Sequence, residues 1–564
     1  MLRLGEHIVT IRDRQELEMD RLELHRRYLL LKEMVSTGKF HVAEHLKSQF
    51  QESFERIQVL PDGMVDPDSI DGFIRSSLGA MAYMADRQEW KELVSLKEIQ
   101  AAYFNRVQEA FSTPYEMMKK AEVDPYKFSG WFASDDKRVN ANIEIIDDFT
   151  AEILKFWSNI SEPTWIHLED SLDTKAIFTG ELFPDGRSNL ASSTGIYFDT
   201  TILPDPFVKI SSLFAVMSKQ ERVEEVLRLA LQVLQYKDIA LLDLDKPIIA
   251  ILPDRHRLDE HYEKYINLCA EQDTIAYGNS IFGQKFSESR ELLEYLRSIK
   301  DPRKFSEIVK DPKRLAFSTE WDGNYENHIK RYIKENRQTL GVKSPGDAVF
   351  FNIFSHFSQA NNALQRSSSL RGTPVIRAET SWLWFNIMLQ ENSETYDEQG
   401  LKNLHISRAL QTTVKNEVSW LGQVPIDALI EIRKYGAIDE IRNLLGAGIS
   451  EIINARPNNF FRTSDHILKN LQGAFTDHET KIKELRGKQW KFAGRDIGSF
   501  IVVGGIEIAA AITGIPAYGV FATAANLTGI IPNAKDLKEK FTNIKKENAE
   551  IANTGVGILF KSRK

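Results

Sequence analysis

GIYFDTTILP, residues 195–204, is a short apolar run that ends at a proline, and PIIAILPD, residues 247–254, is a second run of the same kind. Short apolar runs bounded by helix breakers are typical of strands that are buried on both faces. Residues 274–282 form a weaker third candidate. Helical patterns lie between and after these runs, at residues 219–235, 256–271 and 287–299. Because a helix separates each candidate strand from the next, we expect parallel strands in a small α/β unit.

The rest of the chain has the periodicity of helices. Apolar residues recur at steps of three and four before residue 160 and again after residue 301. The sequence therefore predicts a mainly α, multidomain protein with a central α/β unit and a C-terminal apolar helical hairpin. The predicted parts are an N-terminal helical domain (1–160), the α/β unit (163–300), a second helical domain (301–480), and the hairpin with its basic flanks and polar tail (481–564).

The composition is that of a globular protein. The chain has 564 residues, of which 42% are hydrophobic and 27% are charged, so it can form several domains with sizeable cores. Its single cysteine, Cys269, excludes an internal disulfide and a cysteine-rich metal site. The net charge of -8 gives no global indication of nucleic-acid binding. Charged residues stand near the N-terminus, where a secretion signal needs an apolar run, so we expect a cytoplasmic protein.

One segment near the C-terminus differs from everything before it. IGSFIVVGGIEIAAAITGIPAYGVFATAANLTGII, residues 497–531, contains a single charged residue, Glu507. It is longer than the roughly 20 residues that one membrane-spanning helix needs, and Gly514-Ile515-Pro516 in its middle is a turn signal. We therefore expect two helices that form a hairpin. The hairpin positions that we single out are Ile501, Gly504, Gly505, Glu507, Gly514, Pro516 and Gly519.

Basic residues flank the apolar segment on both sides. Those before it are Lys481, Lys483, Arg486, Lys488, Lys491 and Arg495, and those after it are Lys535, Lys538, Lys540, Lys545 and Lys546. The positive-inside rule expects this of a hairpin that enters a membrane from the cytoplasm and returns to it, and the charges attract anionic lipid. In this physical pattern the segment resembles the apolar hairpin of pore-forming colicins, which a soluble helical domain shields until it inserts. A buried hairpin in a soluble domain, or a contact between copies of the chain, explains the same composition.

Three aspartates near the apolar runs are candidate catalytic residues: Asp199, Asp205 and Asp254. The stretch from Tyr197 to Leu203 resembles the first motif of PIN-type nucleases, in which an apolar strand presents Asp-Thr to Mg²⁺. The resemblance implies a metal-dependent hydrolase in which Asp199 binds the metal. Such sites are built at the carboxyl edge of a parallel sheet. The alternative role of Asp205 and Asp254 is to cap or precede the helices that follow them.

His41-Val42-Ala43-Glu44-His45 matches the H-x-x-E-H pattern of inverzincins. In that pattern two histidines one helical turn apart bind zinc, and the glutamate activates water. Pitrilysin-like peptidases, which this motif resembles, add a distal glutamate ligand, and Glu122 lies at a suitable distance along the chain. The polar residues around the motif favour the other interpretation, a solvent-facing charged helix.

The leading hypothesis on function is a cytoplasmic, toxin-like or defence effector without enzymatic activity. Its hairpin would associate with the inner face of a membrane or mediate oligomerisation, and bacterial defence against viruses would suit such a protein. The expected partners are anionic lipid, a further copy of the chain or another protein, with no cofactor. The alternative is a nuclease-like hydrolase that uses Asp199 and nearby acids with a divalent metal.

Overall fold

The computed structural model describes residues 21–38, 40, 42, 46–185, 189–258, 260–309, 312–337, 340–391, 397–412, 424–455, 460–491, 546, 550, 553–556 and 558. The chain forms two compact units. Unit 1 lies within residues 1–172, 204–242 and 250–264, and unit 2 lies within residues 173–203, 243–249 and 265–564. Neither unit is a continuous stretch of sequence, because the chain passes between them several times.

Four short strands form one parallel sheet. They are β1 (Lys175–Phe178), β2 (Thr200–Pro204), β3 (Ile249–Leu252) and β4 (Thr373–Val375), in the order β3-β2-β1-β4. β1 is aligned with β2 through Ala176 and Thr201, and with β4 through Ile177 and Pro374. Every strand residue is buried, which fits the wholly apolar sequence of β3 and the apolar second half of β2. The prediction of parallel strands near residues 195–204 and 247–253 is confirmed.

Helices make up most of the described chain, which confirms the mainly α class. The helices before β3 are α1 (Arg21–Ser36), α2 (Lys47–Glu55), α3 (Gly72–Leu93), α4 (Leu96–Lys120), α5 (Pro125–Ala133), α6 (Asp136–Asp170), α7 (Leu190–Thr194), α8 (Pro206–Ser211), α9 (Lys219–Leu234) and α10 (Lys237–Ala240). Those after β3 are α11 (Glu260–Phe282), α12 (Ser289–Ser298), α13 (Arg303–Ile308), α14 (Tyr325–Asn336), α15 (Pro345–Ser369), α16 (Glu379–Glu391), α17 (Glu398–Thr412), α18 (Ile426–Lys434), α19 (Ile438–Gly446), α20 (Ile449–Ala455) and α21 (Phe460–Lys491).

Residues 274–282 belong to helix α11, so the prediction of a third strand there is wrong. The buried residues of this region recur at helical steps: Ala270, Thr274, Tyr277 and Ile281. The sheet is completed instead by β1 and β4, which the sequence analysis does not predict. Pro374 fits into β4 because β4 is an edge strand of the described sheet, so one side of its backbone pairs with none of the other three strands.

Unit 1 is built around α4, α6 and α9, which pack against one another. Two of these helices begin with a capping box, formed by Ser95 with Glu98 in α4 and by Ser218 with Glu221 in α9. These local signals explain why the helix predicted at residues 219–235 matches α9 closely. α6 includes Pro163 and continues to Asp170, past the domain boundary that the sequence analysis places at residues 160–163.

The side chain of Gln100, on α4, pairs with the backbone of β3. Its Nε2 donates to the Ile251 carbonyl at 2.9 Å, and its Oε1 accepts from the Ile251 N–H at 2.7 Å. β3 lies at the edge of the sheet. Gln100 therefore satisfies backbone groups that an edge strand otherwise leaves unpaired.

Buried side chains of helices α11 to α16 form the main hydrophobic core of unit 2. α15 packs on both α12 and α16. A Cβ added to Gly346, in α15, would lie 2.4 Å from the backbone of Leu296 in α12, so the close approach of these helices requires glycine. Trp384 and Phe385 of α16 are fully buried and Trp382 is 9% exposed, so these aromatic side chains belong to the core of unit 2.

The predicted hairpin at residues 497–531 lies outside the described residues and stays a prediction. α21 ends at Lys491, and the described chain resumes at residue 546. Among the described helices, none is long and apolar enough to cross a membrane.

Candidate functional site

Asp199 and Asp205 lie at opposite ends of β2. The strand begins at Thr200, so Asp199 precedes its amino end, whereas Asp205 follows its carboxyl end. At about 3.3 Å per residue, the two positions are roughly 20 Å apart along the strand. One metal ion therefore cannot bind both carboxylates, and only Asp205 is at the edge where ligands of parallel sheets bind.

Hydrogen-bond donors from distant parts of the chain surround the Asp199 carboxylate. Thr174 donates to Oδ2 from its backbone N–H and from its hydroxyl, both at 3.0 Å. Arg433 Nη1 lies 3.2 Å from Oδ1, and Arg442 Nη2 lies 3.0 Å from Oδ2. The side chain of Asp199 is only 6% exposed, so these contacts form in a largely desolvated setting.

A lysine and a second aspartate complete this group. Lys246 Nζ lies 2.9 Å from Oδ1 of Asp173 and 3.6 Å from Oδ2 of Asp199. Two carboxylates are thus matched by three cations. We call the group the Asp199 cluster, and its members are Asp173, Thr174, Asp199, Lys246, Arg433 and Arg442.

The cluster keeps Asp199 ionised. Burial by itself raises the pKa of the Asp199 carboxyl, but the hydrogen bond from the Thr174 backbone and the charge of Arg442 outweigh burial and lower that pKa. On the other side of the ion pair, burial lowers the pKa of Arg433 to about 10, although the charge of Asp199 opposes the shift. Both groups are therefore charged at neutral pH.

The arginines also bind backbone carbonyls of the loop before β2. Arg433 Nη2 donates to the carbonyls of Gly195, Phe198 and Asp199, and Arg442 Nε donates to that of Tyr197. The cluster therefore fixes α18 and α19 against this loop. Its cations occupy the carboxylate oxygens to which a metal ion would bind.

Asp205 and Asp254 follow neighbouring strands at the carboxyl edge of the sheet. Asp205 caps α8 by accepting from the Val208 N–H at 2.7 Å, and it also accepts from Trp157 Nε1 at 2.9 Å. Burial raises the pKa of its carboxyl. Asp254 precedes a short 3-10 turn and lies 3.2 Å from Lys209 Nζ. Asp205 thus has the capping role that the sequence analysis gives as the alternative to catalysis.

The other metal prediction falls mostly outside the described chain. His41, Glu44 and His45 are not among the described residues. Glu122 is exposed, in a turn after α4, with a positive φ of 53°. Within the described ranges, no group of three or more His, Cys, Asp or Glu side chains is arranged to hold a metal ion. The H-x-x-E-H zinc site stays a prediction.

The far C-terminus of the described chain packs on α19. The N–H of Gly555 donates to Glu440 Oε2 at 2.7 Å. The N–H of Ile558 donates to the Thr554 carbonyl at 2.9 Å, which closes a helical turn, and Ile558 is 2% exposed. We call Thr554, Gly555, Val556 and Ile558 the tail turn.

The tail turn lies very close to the first turn of α19 and to the residue before it. A Cβ added to Gly555 would lie 2.7 Å from Ile441 Cγ1 and 2.9 Å from the Ala437 carbonyl oxygen. Both distances are shorter than a Cβ contact tolerates, so the packing of the tail turn on α19 requires glycine at position 555.

Arg433 and Arg442 of the Asp199 cluster are not among the residues predicted from the sequence, although the spacing around Arg433 carries one signal. Ile426, Leu429 and Arg433 follow each other at steps of three and four, so Arg433 continues the apolar stripe of α18. A charged residue on an apolar helix face indicates a buried partner. The partner itself lies more than two hundred positions away, and the spacing does not identify it.

Comparison with known proteins found no matching protein family, no matching curated protein and no matching solved structure.

Proposed function

We propose that the chain is a non-enzymatic effector whose C-terminal apolar segment, residues 497–531, associates with a membrane surface. The observation that supports this proposal is that the described parts of the chain before and after the segment pack on the same helix. α21, which precedes the segment, packs on α19, and the tail turn, which follows the segment, packs on α19 as well. One helix of unit 2 thus contacts both flanks.

This arrangement favours a segment that leaves unit 2 and comes back to it. A single membrane crossing would place the two flanks on opposite sides of the bilayer. A hairpin places them on the same side, and the basic residues before and after the segment would then face anionic lipid together. In this proposal the protein is cytoplasmic, is recruited to the inner face of a membrane, and acts as a toxin-like or defence effector.

Vesicle flotation with the purified full chain tests the proposal. We expect binding to phosphatidylglycerol vesicles, release of trapped dye, and much weaker binding to phosphatidylcholine vesicles. Ala510→Arg and Gly519→Arg place a charge in the apolar segment and should reduce binding at least tenfold. The matched control is Gly473→Arg, because Gly473 is exposed on α21 and has open space around it.

Point substitutions are preferable to truncation before Ile497, because truncation also removes the tail turn. Equal binding by the wild type and both arginine variants would refute the proposal. If the arginine variants instead convert an oligomer into a monomer, as measured by sedimentation velocity, and no form of the protein binds vesicles, the segment is a contact between copies of the chain.

The alternative, a metal-dependent hydrolase that uses Asp199, stays a prediction. Its test is cleavage of single-stranded nucleic acid with Mg²⁺ or Mn²⁺ by the wild type and by Asp199→Asn. Metal-dependent cleavage that disappears in Asp199→Asn, at unchanged secondary structure, would favour the hydrolase over the effector.

A further inference from the structure

We infer that residues 213–217, which join α8 to α9 in unit 1, insert into the surface of an anionic bilayer. These residues are Leu213, Phe214, Ala215, Val216 and Met217, and we call them the apolar turn. The inference deepens the proposed function, on which it rests for the kind of partner. It adds a site of membrane contact that is separate in sequence from residues 497–531.

The apolar turn is largely exposed, although all of its residues are hydrophobic. Leu213 is 49% exposed and Val216 is 60% exposed. Ala215 is exposed as well, and Phe214 and Met217 are half-buried. Exposed hydrophobic residues that stand singly need no explanation, whereas several next to one another mark a contact surface.

Backbone groups of the apolar turn are hydrogen-bonded within the chain. The N–H of Leu213 donates to the Ile210 carbonyl at 2.9 Å. The N–H groups of Val216 and Met217 both donate to the Leu213 carbonyl, at 3.0 and 3.2 Å. Because these groups do not depend on water, they can enter an apolar environment without the cost of losing a hydrogen bond.

The serines directly before the apolar turn also bond to their own backbone. Ser211 Oγ donates to the Val208 carbonyl at 3.0 Å, and Ser212 Oγ donates to the Lys209 carbonyl at 2.9 Å. Protein partners are recognised through directional hydrogen bonds as well as apolar contact. The boundary of a bilayer's hydrocarbon requires apolar area alone, so this surface favours lipid over a protein partner.

The charge beside the apolar turn complements anionic headgroups. Between residues 209 and 222 the chain has three cations, Lys209, Lys219 and Arg222, and one acid, Glu221. Glu221 is engaged in the capping box, where its carboxylate accepts from the Ser218 N–H at 2.7 Å. Lys209 and Arg222 form ion pairs within unit 1, and Lys219 is exposed directly after the turn. Basic residues at such a place attract anionic lipid.

Contacts with α9 and α6 order the apolar turn before it meets a membrane. The Arg222 guanidinium lies 5.7 Å from the centre of the Phe214 ring. Arg222 Nη1 also donates to both carboxylate oxygens of Asp147, on α6, at 2.7 and 2.9 Å. Insertion of an ordered turn requires less loss of conformational entropy than insertion of a flexible loop.

Flotation of the full chain with phosphatidylglycerol vesicles tests the site. Leu213→Asp and Val216→Asp each remove a side chain that the bilayer would bury, so we expect each to raise the dissociation constant about tenfold. Leu93→Asp is the matched control, because Leu93 is 56% exposed and the substitution adds the same negative charge. Val216→Trp enlarges the apolar surface and should strengthen binding.

Fluorescence of a labelled full chain tests insertion itself. A polarity-sensitive dye is attached through Ala215→Cys in a chain that carries Cys269→Ser. On vesicle binding we expect a blue shift of its emission and quenching by lipids that are spin-labelled in the acyl chain. The same dye attached through Ser134→Cys, at an exposed position directly after α5, should show neither change. An aqueous emission from position 215 in vesicle-bound protein would overturn the inference.

The outcomes separate this inference from the proposed function. If the wild type binds and Gly519→Arg weakens binding, but both aspartate variants bind like the wild type, the inference alone is overturned. If the aspartate variants weaken binding while Ala510→Arg and Gly519→Arg do not, the apolar turn is supported and the role of residues 497–531 is overturned. If the wild type binds no vesicles, both are overturned.

Discussion

Arg433 Nη1 lies 3.2 Å from Asp199 Oδ1, although the two residues are 234 positions apart in the chain. This ion pair connects α18 to the loop before β2, and Arg433 strengthens the connection by donating to carbonyls of the same loop. Both side chains are less than 10% exposed. The residue that the sequence analysis assigns to metal binding therefore serves here as the acceptor of a structural ion network.

Arg433→Ala should destabilise unit 2 strongly. Removing one partner leaves the Asp199 carboxylate buried with less compensation, and breaking a buried ion pair costs about 3–5 kcal/mol. Urea unfolding followed by circular dichroism measures this loss. Lys434→Ala is the control, because Lys434 is the exposed neighbour on the same helix. A loss as small as that of the control would mean that the pair contributes little.

Gln100→Ala should destabilise unit 1. The substitution removes the side chain that pairs with the N–H and the carbonyl of Ile251. Gln100 is only 1% exposed, so water does not readily replace these hydrogen bonds. Two buried backbone groups without partners cost roughly 2–6 kcal/mol, at about 1–3 kcal/mol for each group. We expect that decrease in the free energy of unfolding, with no comparable change in Gln88→Ala, where the side chain is exposed.

His356→Phe should flatten the dependence of stability on pH. His356, on α15, stacks on Trp384 with ring centroids 5.1 Å apart, and burial lowers the pKa of its imidazole to about 4. In the unfolded chain that pKa is about 6.5. The unfolded state therefore binds more protons between these values, so the wild type loses stability as pH falls from about 6.5 to about 4.

Urea unfolding at several pH values measures this effect. The difference between the folded and unfolded pKa of His356 lowers the free energy of unfolding by about 3 kcal/mol across that interval, at 1.36 kcal/mol per pKa unit. Phenylalanine preserves the stack on Trp384 and does not titrate, so His356→Phe should lack this share of the pH dependence. Parallel stability curves for the two proteins between pH 4 and 7 would contradict the assignment.

Gly346→Ala should destabilise the packing of α12 on α15. The new Cβ would lie 2.4 Å from the Leu296 backbone, which cannot move without displacing α12. Overpacking of this kind costs about 1–3 kcal/mol. Gly473→Ala, in α21, should have the opposite sign, because alanine is favoured over glycine by roughly 1 kcal/mol in a helix interior. Thermal unfolding compares the two, and a neutral Gly346→Ala would mean that the helices can separate easily.

Local signals account for the parts of the fold that the sequence predicts well. β2 and β3 lie within the two runs that end at helix breakers, and α9 has both a clear apolar stripe and the Ser218 and Glu221 capping box. Residues 274–282 show the limit of this approach. A short apolar stretch suits either a strand or a helix, and the stripe that includes Ala270 becomes evident only over a longer window.

The sequence by itself determined the mainly α class, the parallel strands β2 and β3, and the exceptional composition of residues 497–531. These features depend on periodicity and on residue type, which are properties of neighbouring positions. The tertiary structure decided that Pro374 lies in an edge strand, that Asp199 pairs with Arg433 and Arg442, and that Gly555 lies against α19. Such pairings join residues that are far apart in the chain, and the spacing along a sequence does not encode which of many distant charges or surfaces come into contact.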